Sequence, residues 1–198
     1  SEDVNPKPLN AYGFTKLSVE NLLLSIYSNR KEEWNIAILR YFNPAGNHFS
    51  GIMGEDPKGM PSNLFPILCK VAAGKINKLI VHGNDWETAD GTGVRDYIHV
   101  MDLAEGHVKA LDYSIKKRKS FLVLNLGTGK GTSVFELIST FERVNKIKLR
   151  YEIGIKRIGD SAEVYADCDK AKRVIGWVAK RSIDDICKDG WEWQKKRL

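Results

Sequence analysis

Apolar residues along this chain fall into runs with two different periods. After Asn10, a side chain suited to accept from the first free N–H groups of a helix, Val19, Leu22, Leu23 and Ile26 recur three and four residues apart and predict an amphipathic helix over 11–27. The next run, 35–42, sets Ile36, Ala37, Ile38 and Leu39 side by side without alternation and is closed by Asn43, Pro44 and Gly46. That pattern predicts a buried parallel strand. The segment 123–127 predicts another strand of the same sheet, and a helix beside all-apolar strands is a fragment of a βαβ layer.

The polar stretch 46–61, rich in Gly, Pro, Asp and Ser, has the character of a functional surface loop and marks the start of a second lobe. Beyond it the pattern predicts helices over 64–73, 102–114, 170–175 and 183–194, strands over 79–82 and 149–155, and an acidic, glycine-containing loop over 84–93. Ser133 followed by Glu136 is a capping box for a helix that turns Val134, Leu137, Ile138 and Phe141 inward. No segment repeats. The expected class is α/β, divided into 1–43 and 44–198, with a strand near 121–127 returning to the first sheet.

Composition narrows the classes. With 198 residues, 42% hydrophobic and 28% charged, the chain is neither disordered nor collagen-like. No run approaches the roughly 18 apolar residues of a membrane helix, and the first eight residues lack signal-peptide character. Three cysteines, Cys69, Cys168 and Cys187, show no CxxC spacing, so the expectation is a reducing, cytoplasmic setting without a thiolate metal site. The 31 basic against 25 acidic residues leave a net charge of +6. The basic runs, Lys116, Lys117, Arg118 and Lys119, and Lys195, Lys196 and Arg197, sit where helices end and lack interleaved aromatics. They predict solvated helix ends and no nucleic-acid partner. His99 and His107, without a completing ligand, are expected to be buried structural histidines, and no metal is assigned.

Two motifs carry candidate chemistry. Gly127, Gly129 and Gly131 follow a strand and precede a helix, but the spacing is GxGxG, and Lys146 and Lys148 stand where a dinucleotide site needs an acid; a tight turn is expected. Tyr12 and Lys16 are four apart and share a helix face with Val19, Leu23 and Ile26. A lysine on a buried stripe needs partners, and an ammonium beside a phenol stabilises the phenolate, which suits proton transfer. The bland alternative is a snorkelling lysine beside a half-buried tyrosine.

The wider context weights these residues. Tyr12-Gly13-Phe14-Thr15-Lys16 and Arg40-Tyr41-Phe42-Asn43-Pro44-Ala45-Gly46 resemble the extended short-chain dehydrogenase/reductase family. Gly54-Glu55-Asp56-Pro57, Gly83-Asn84-Asp85, the run from Asp90 through Arg95-Asp96-Tyr97-Ile98-His99 to Val100, Asn125-Leu126-Gly127-Thr128-Gly129 and Trp191-Glu192-Trp193-Gln194 narrow the resemblance to members that epimerise UDP-hexoses. It covers nearly the whole chain.

The resemblance implies an incomplete Rossmann-type parallel sheet plus a smaller mixed α/β lobe that binds a UDP-sugar. The implied activity is NAD-dependent interconversion of UDP-galactose and UDP-glucose at sugar C4, with a homodimer as the complete enzyme and no membrane partner. Tyr12 matches the catalytic base and Lys16 the lysine that holds the nicotinamide ribose. Tyr41 falls at a cofactor-contacting position, with Phe42 and Asn43 beside the substrate. Arg95 and Arg157 match phosphate-binding arginines, for which a planar bidentate fork is favoured, and Asp160 matches a carboxylate that takes a ribose hydroxyl. Asn63 and Leu64 fall in the family's Asn-Asn-Leu segment, with Ser62 in place of the first Asn. Ile80, Val81 and His82 match the strand bordering the uracil, where His82 either stacks or caps the strand. Val164, small where some members carry tyrosine, implies room for UDP-N-acetylhexosamines. The glycine fingerprint and a third catalytic hydroxyl are expected upstream of position 1, so this chain is expected to be a C-terminal portion, inert alone. A dehydratase or decarboxylase of the same family and a non-catalytic UDP-binding module are the competing readings.

Overall fold

The fold is given by a computed structural model that describes residues 1–31, 33–117 and 119–198. In chain order its elements are α1 (Ala11–Asn29), β1 (Ile36–Tyr41), β2 (Asn43–Ala45), α2 (Leu64–Ala72), β3 (Leu79–His82), β4 (Val94–Arg95), β5 (Tyr97–His99), α3 (Val100–Lys117), β6 (Phe121–Leu126), β7 (Thr132–Ser133), α4 (Val134–Asn145), β8 (Tyr151–Gly154), β9 (Glu163–Val164), α5 (Asp169–Ile175) and α6 (Ile183–Lys195). Asn10 caps α1, its side chain accepting from Gly13 N–H at 2.9 Å. Ser133 with Glu136, and Ser182 with Asp185, close reciprocal capping boxes at α4 and α6. Among the described residues no helix is long and apolar enough to cross a membrane.

β1 and β6 pair in parallel with Ile36 opposite Phe121 and Tyr41 opposite Leu126. The chain bends at Phe42, and β2 then pairs in parallel with β5. A second group of strands builds the lobe: β3 with β8 in parallel, and β4 between antiparallel β7 and parallel β9. Each layer has its own core. Phe65, Leu68, Leu79, Phe141, Ile186 and Trp191 pack in the lobe, while Ile98, Leu103, Leu124, Leu126 and Trp177 pack behind the β1–β6 pair. The sheet layer therefore takes in β5, α3, β6 and α5 as well as 1–43.

Two burial expectations are corrected. β1 is not covered on both faces: Ile36 and Ile38 are buried toward α1, whereas Ala37 is exposed along a groove between β1 and α3. The α1 stripe is also only partly covered. Arg40 donates to both carboxylate oxygens of Glu20 at 2.8 and 2.5 Å, and the Tyr27 hydroxyl donates to Lys119 O at 2.9 Å. These two ties hold the later half of α1 against the β1–β6 pair, where Leu23 and Ile26 are half-buried, whereas Val19 and Leu22 are exposed.

The basic runs lie at helix ends. Lys116 and Lys117 close α3, and Arg118 lies outside the described residues. At the other end Lys195 pairs with Glu192, Lys196 donates to Ser50 O and Arg197 pairs with Asp56. His99 is fully buried. His107 corrects the expectation: it is exposed, its ring 5.9 Å from that of Tyr41, because α3 turns that face toward the open groove.

Candidate functional site

A cavity of about 410 Å³ opens in the lobe between the start of α2, β3, β4 and the 155–160 loop. Asn43, Asn63, Leu64, Ile80, Val81, His82, Arg95, Arg157 and Asp160, nine residues singled out from the sequence, all line it. The parallel β3–β8 ladder sinks Leu79 and Val81 into the core, leaving Ile80 and His82 half-buried. Tyr97, Ile67 and Val134 add apolar surface. Burial pushes the Tyr97 phenol up to about 12, so it lines the wall as a neutral group.

The charged part rests on a buried carboxylate. Asp96, fully buried between β4 and β5, accepts from Thr128 N–H at 2.9 Å, Thr128 Oγ1 at 2.6 Å, Gly129 N–H at 3.0 Å and Ala166 N–H at 3.2 Å. This clamps the 127–131 glycine turn and the approach to α5 onto the strand bearing Arg95. A side chain at Gly127 has no room: its Cβ would stand 2.5 Å from Asp96 Oδ2. The turn is thus the tight turn its spacing predicts, with its N–H groups committed to a carboxylate. Arg95 neither pairs with Asp96 nor with Asp90. Its guanidinium donates to Val94 O at 2.8 Å and lies 3.9 Å from Asp160, while Asp90 is held by Thr92 and Ser133. Hydrogen bonds from Ser133 and Thr92 keep the Asp90 carboxyl below the usual range against the opposing effect of its burial.

Tyr12, Lys16 and Tyr41 lie apart from the cavity lining. Tyr12 is 71% exposed and Lys16 is exposed, its ammonium 5.0 Å from the Tyr12 ring centroid. The pair is brought together as the spacing predicts, on the same side of α1 as Glu20 and Tyr27, which are tied to Arg40 and Lys119; at Tyr12 and Lys16 that side is open and not buried. The start of α1 nevertheless neighbours the cavity: a Cβ on Gly159 would lie 3.6 Å from Leu9 O. Phe42 is half-buried at the bend after β1, its N–H donating to Leu126 O at 3.4 Å. Val164 stands opposite Arg95 in the β4–β9 register and does not line the cavity.

Trp86, Lys78 and Met60 line the cavity without having been singled out. Trp86 carried a signal, an aromatic inside an acidic loop that ends a strand of the site. Lys78 is paired with Glu152 across β3 and β8. Among the described residues no three His, Cys, Asp or Glu side chains are grouped to hold a metal ion.

The α/β layers with parallel strand pairs and a cavity-bearing lobe define the class of fold, and the comparisons agree with it. Residues 1–190 match the family described as GDP-mannose 4,6 dehydratase, and the chain belongs to that family. Within it the chain is homologous to UDP-glucose 4-epimerases. It is 48% identical over 198 residues to the UDP-glucose 4-epimerase of Bacillus subtilis (strain 168), covering all of this chain and 58% of that relative. The crystal structure of the Bifidobacterium longum UDP-glucose 4-epimerase in complex with NAD+ and UDP is similar with a TM-score of 0.93 and 45% identity, over 98% of this chain and 57% of that one. The Stenotrophomonas maltophila UDP-glucose-4-epimerase, with bound NAD and formylated UDP-arabinopyranose, matches with a TM-score of 0.94 and 44% identity over 99% of this chain and 58% of that one. The chain thus spans between half and two-thirds of the length of these relatives.

Proposed function

We propose that the cavity binds the UDP part of a UDP-hexose and that the chain is the substrate-binding portion of an NAD-dependent UDP-glucose 4-epimerase, an isomerase interconverting UDP-galactose and UDP-glucose. The observation that carries this is the convergence of Arg95, Arg157, Asp160, His82 and Asn63 on one cavity. Two arginines suit a diphosphate, and Asp160 suits a ribose hydroxyl. The apolar strip of Ile80 and Val81 suits the base.

The fit to a dinucleotide is confined to one end. Tyr12 and Lys16, on one open face of α1, are the residues that would hold the nicotinamide ribose, with Tyr41, whose ring stands beside His107, as a further contact. The 127–131 turn does not fit a pyrophosphate, because Thr128 and Gly129 already donate to Asp96. NAD held at Tyr12 and Lys16 in the complete enzyme would supply the redox chemistry at sugar C4. Tyr12 removes the proton from the 4-hydroxyl and gives it back, and Lys16 supports the phenolate. Pairing of two copies through the outward side of α1, where Phe14 and Leu22 are uncovered, belongs to the same proposal, as does a reducing, cytoplasmic setting. Acceptance of UDP-N-acetylhexosamines rests on the small Val164. It predicts weaker UDP-N-acetylglucosamine binding by Val164→Tyr with unchanged binding of UDP-glucose.

Isothermal titration of the 198-residue chain decides between the functional readings. UDP binding without NAD binding is the expected result and also separates a substrate lobe from a dinucleotide domain. Absence of UDP binding by the folded chain overturns the assignment.

A further inference from the structure

We propose that Lys156 is a positioning residue, a clasp that keeps the loop carrying Arg157 and Asp160 in register with the loop carrying Trp86 across the mouth of the cavity. The inference rests on the cavity being the UDP-sugar site proposed above. It concerns a residue that does not line the cavity itself.

The two loops leave the ends of adjacent parallel strands. After β3, Gly83 N–H donates to Gly154 O at 2.9 Å, and His82 Nδ1 lies 3.2 Å from Ile155 O, so pairing continues a little past the β3–β8 ladder. There the backbone contacts stop and Lys156 takes over. Its ammonium donates to Asp85 O at 2.9 Å, pairs with the Asp85 carboxylate at 3.1 Å, and sits 4.7 Å from the centre of the Trp86 ring. Trp86 is held from its other end, its indole N–H donating to His82 O at 3.0 Å and its backbone N–H to Gly91 O at 2.9 Å. Gly83 makes the approach possible. At φ +85 it has no side chain to strain, and a Cβ there would meet Lys156 Cγ at 2.6 Å and the Trp86 indole nitrogen at 2.9 Å.

The next residue after Lys156 is Arg157, and Asp160 follows beyond Gly159 at φ +84, so the chain between clasp and ligand groups is short and bends sharply. One cation therefore grips three groups of the opposite loop, two of them on Asp85 and one on Trp86, immediately before the residues that face the ligand. Removing it uncouples the loop of Arg157 from the loop in which Trp86 remains bonded to His82 and Gly91, and a ligand must then order the one against the other. Ordering costs of that kind weaken binding without the loss of any direct ligand contact.

Lys156→Met keeps the aliphatic stem and removes the charge, whereas Lys156→Arg keeps a cation that reaches Asp85 and lies over Trp86. By titration of the 198-residue chain, Lys156→Met is expected to bind UDP about tenfold more weakly than the unsubstituted chain, and Lys156→Arg to recover most of the loss. Hydrogen exchange without ligand supplies the second readout. The amides of Gly83, Trp86 and Asp160 should exchange faster in Lys156→Met, with the core amides of α2 and α6 unchanged. UDP affinity unaltered in Lys156→Met, or equally poor in both variants, overturns the clasp. If the unsubstituted chain binds no UDP, the assignment of the cavity fails instead, and the exchange comparison alone decides whether Lys156 holds the two loops together.

Discussion

Asp96 is the residue whose loss should be felt across the whole molecule, and the size of the effect can be worked from its partners. In Asp96→Ala, the N–H groups of Thr128, Gly129 and Ala166 lose their acceptor together with the Thr128 hydroxyl. The donor of Ala166 is buried and is left unsatisfied, costing about 1–3 kcal/mol. Thr128 and Gly129 are nearer the surface and recover water, so each loses about 0.5–1.5 kcal/mol. Relief of the cost of burying a charge works the other way and trims the sum to roughly 3 kcal/mol. For a chain of this size that corresponds to a fall in Tm of about 10 °C. Asp96→Asn separates hydrogen bonding from shape. Its carbonyl can still serve Thr128, but its amide nitrogen then faces the donors of Gly129 and Ala166, so about half of the loss should remain. Urea unfolding followed by tryptophan fluorescence measures both variants. An Asp96→Ala chain within about 0.5 kcal/mol of the original would refute the view that this carboxylate fastens the glycine turn to β4 and β5.

Four further outcomes are expected. Gly190→Ala places a Cβ 2.3 Å from the Phe65 ring in the lobe core and should cost about 1–3 kcal/mol, read as a lower urea midpoint. Burial holds His99 below its ordinary value of 6.5, against the opposing pull of Asp189 and with help from Arg181. The unfolded chain therefore takes up this proton first as pH falls. The stability from neutral His99 is present above about pH 6.5 and drains below it by up to about 1.4 kcal/mol per pH unit, and His99→Gln should flatten that slope. Burial pushes the Cys168 and Cys187 thiols up to about 11 and about 12 and raises Cys69 as well. A thiol reagent should reach Cys168 first and the two buried thiols only on unfolding, as counted by mass spectrometry. Finally, UDP-galactose mixed with NAD and this chain alone should yield no UDP-glucose by chromatography, and detectable conversion would overturn the confinement of the dinucleotide fit to one end.

Long elements were legible because their period and caps are local. Asn10, Ser133 with Glu136, and the apolar run at 79–82 announced α1, α4 and β3 within a residue or two. The strands β4, β7 and β9 have two residues each and no period to detect; they exist because Asp96 gathers three segments around itself. The cavity residues were legible through motif resemblance, but their convergence depends on the long-range β3–β8 and β4–β9 pairings. The helix spacing correctly joined Tyr12 to Lys16 on the side of α1 that meets the sheet, yet it could not say where along the helix the sheet contacts fall. That is decided by Glu20 meeting Arg40, two residues far apart in sequence. Trp86 escaped because an aromatic in a polar loop has no pattern until its neighbours, Lys156 above all, are known.

The path of the backbone between the two cores has a mechanical meaning. The chain passes from sheet layer to lobe at Phe42, returns at Tyr97 and Ile98, leaves again through the 127–131 turn, comes back past β9 to α5 and departs once more before α6. Layers stitched so often cannot swing on a single flexible strap. Denaturation should therefore appear as one cooperative event, and a protease cut in the 46–61 loop should leave two fragments that remain associated. A substrate gripped in the lobe would be presented at a fixed angle to whatever chemistry occurs at Tyr12, with any adjustment left to side chains and to the two loops at the cavity mouth.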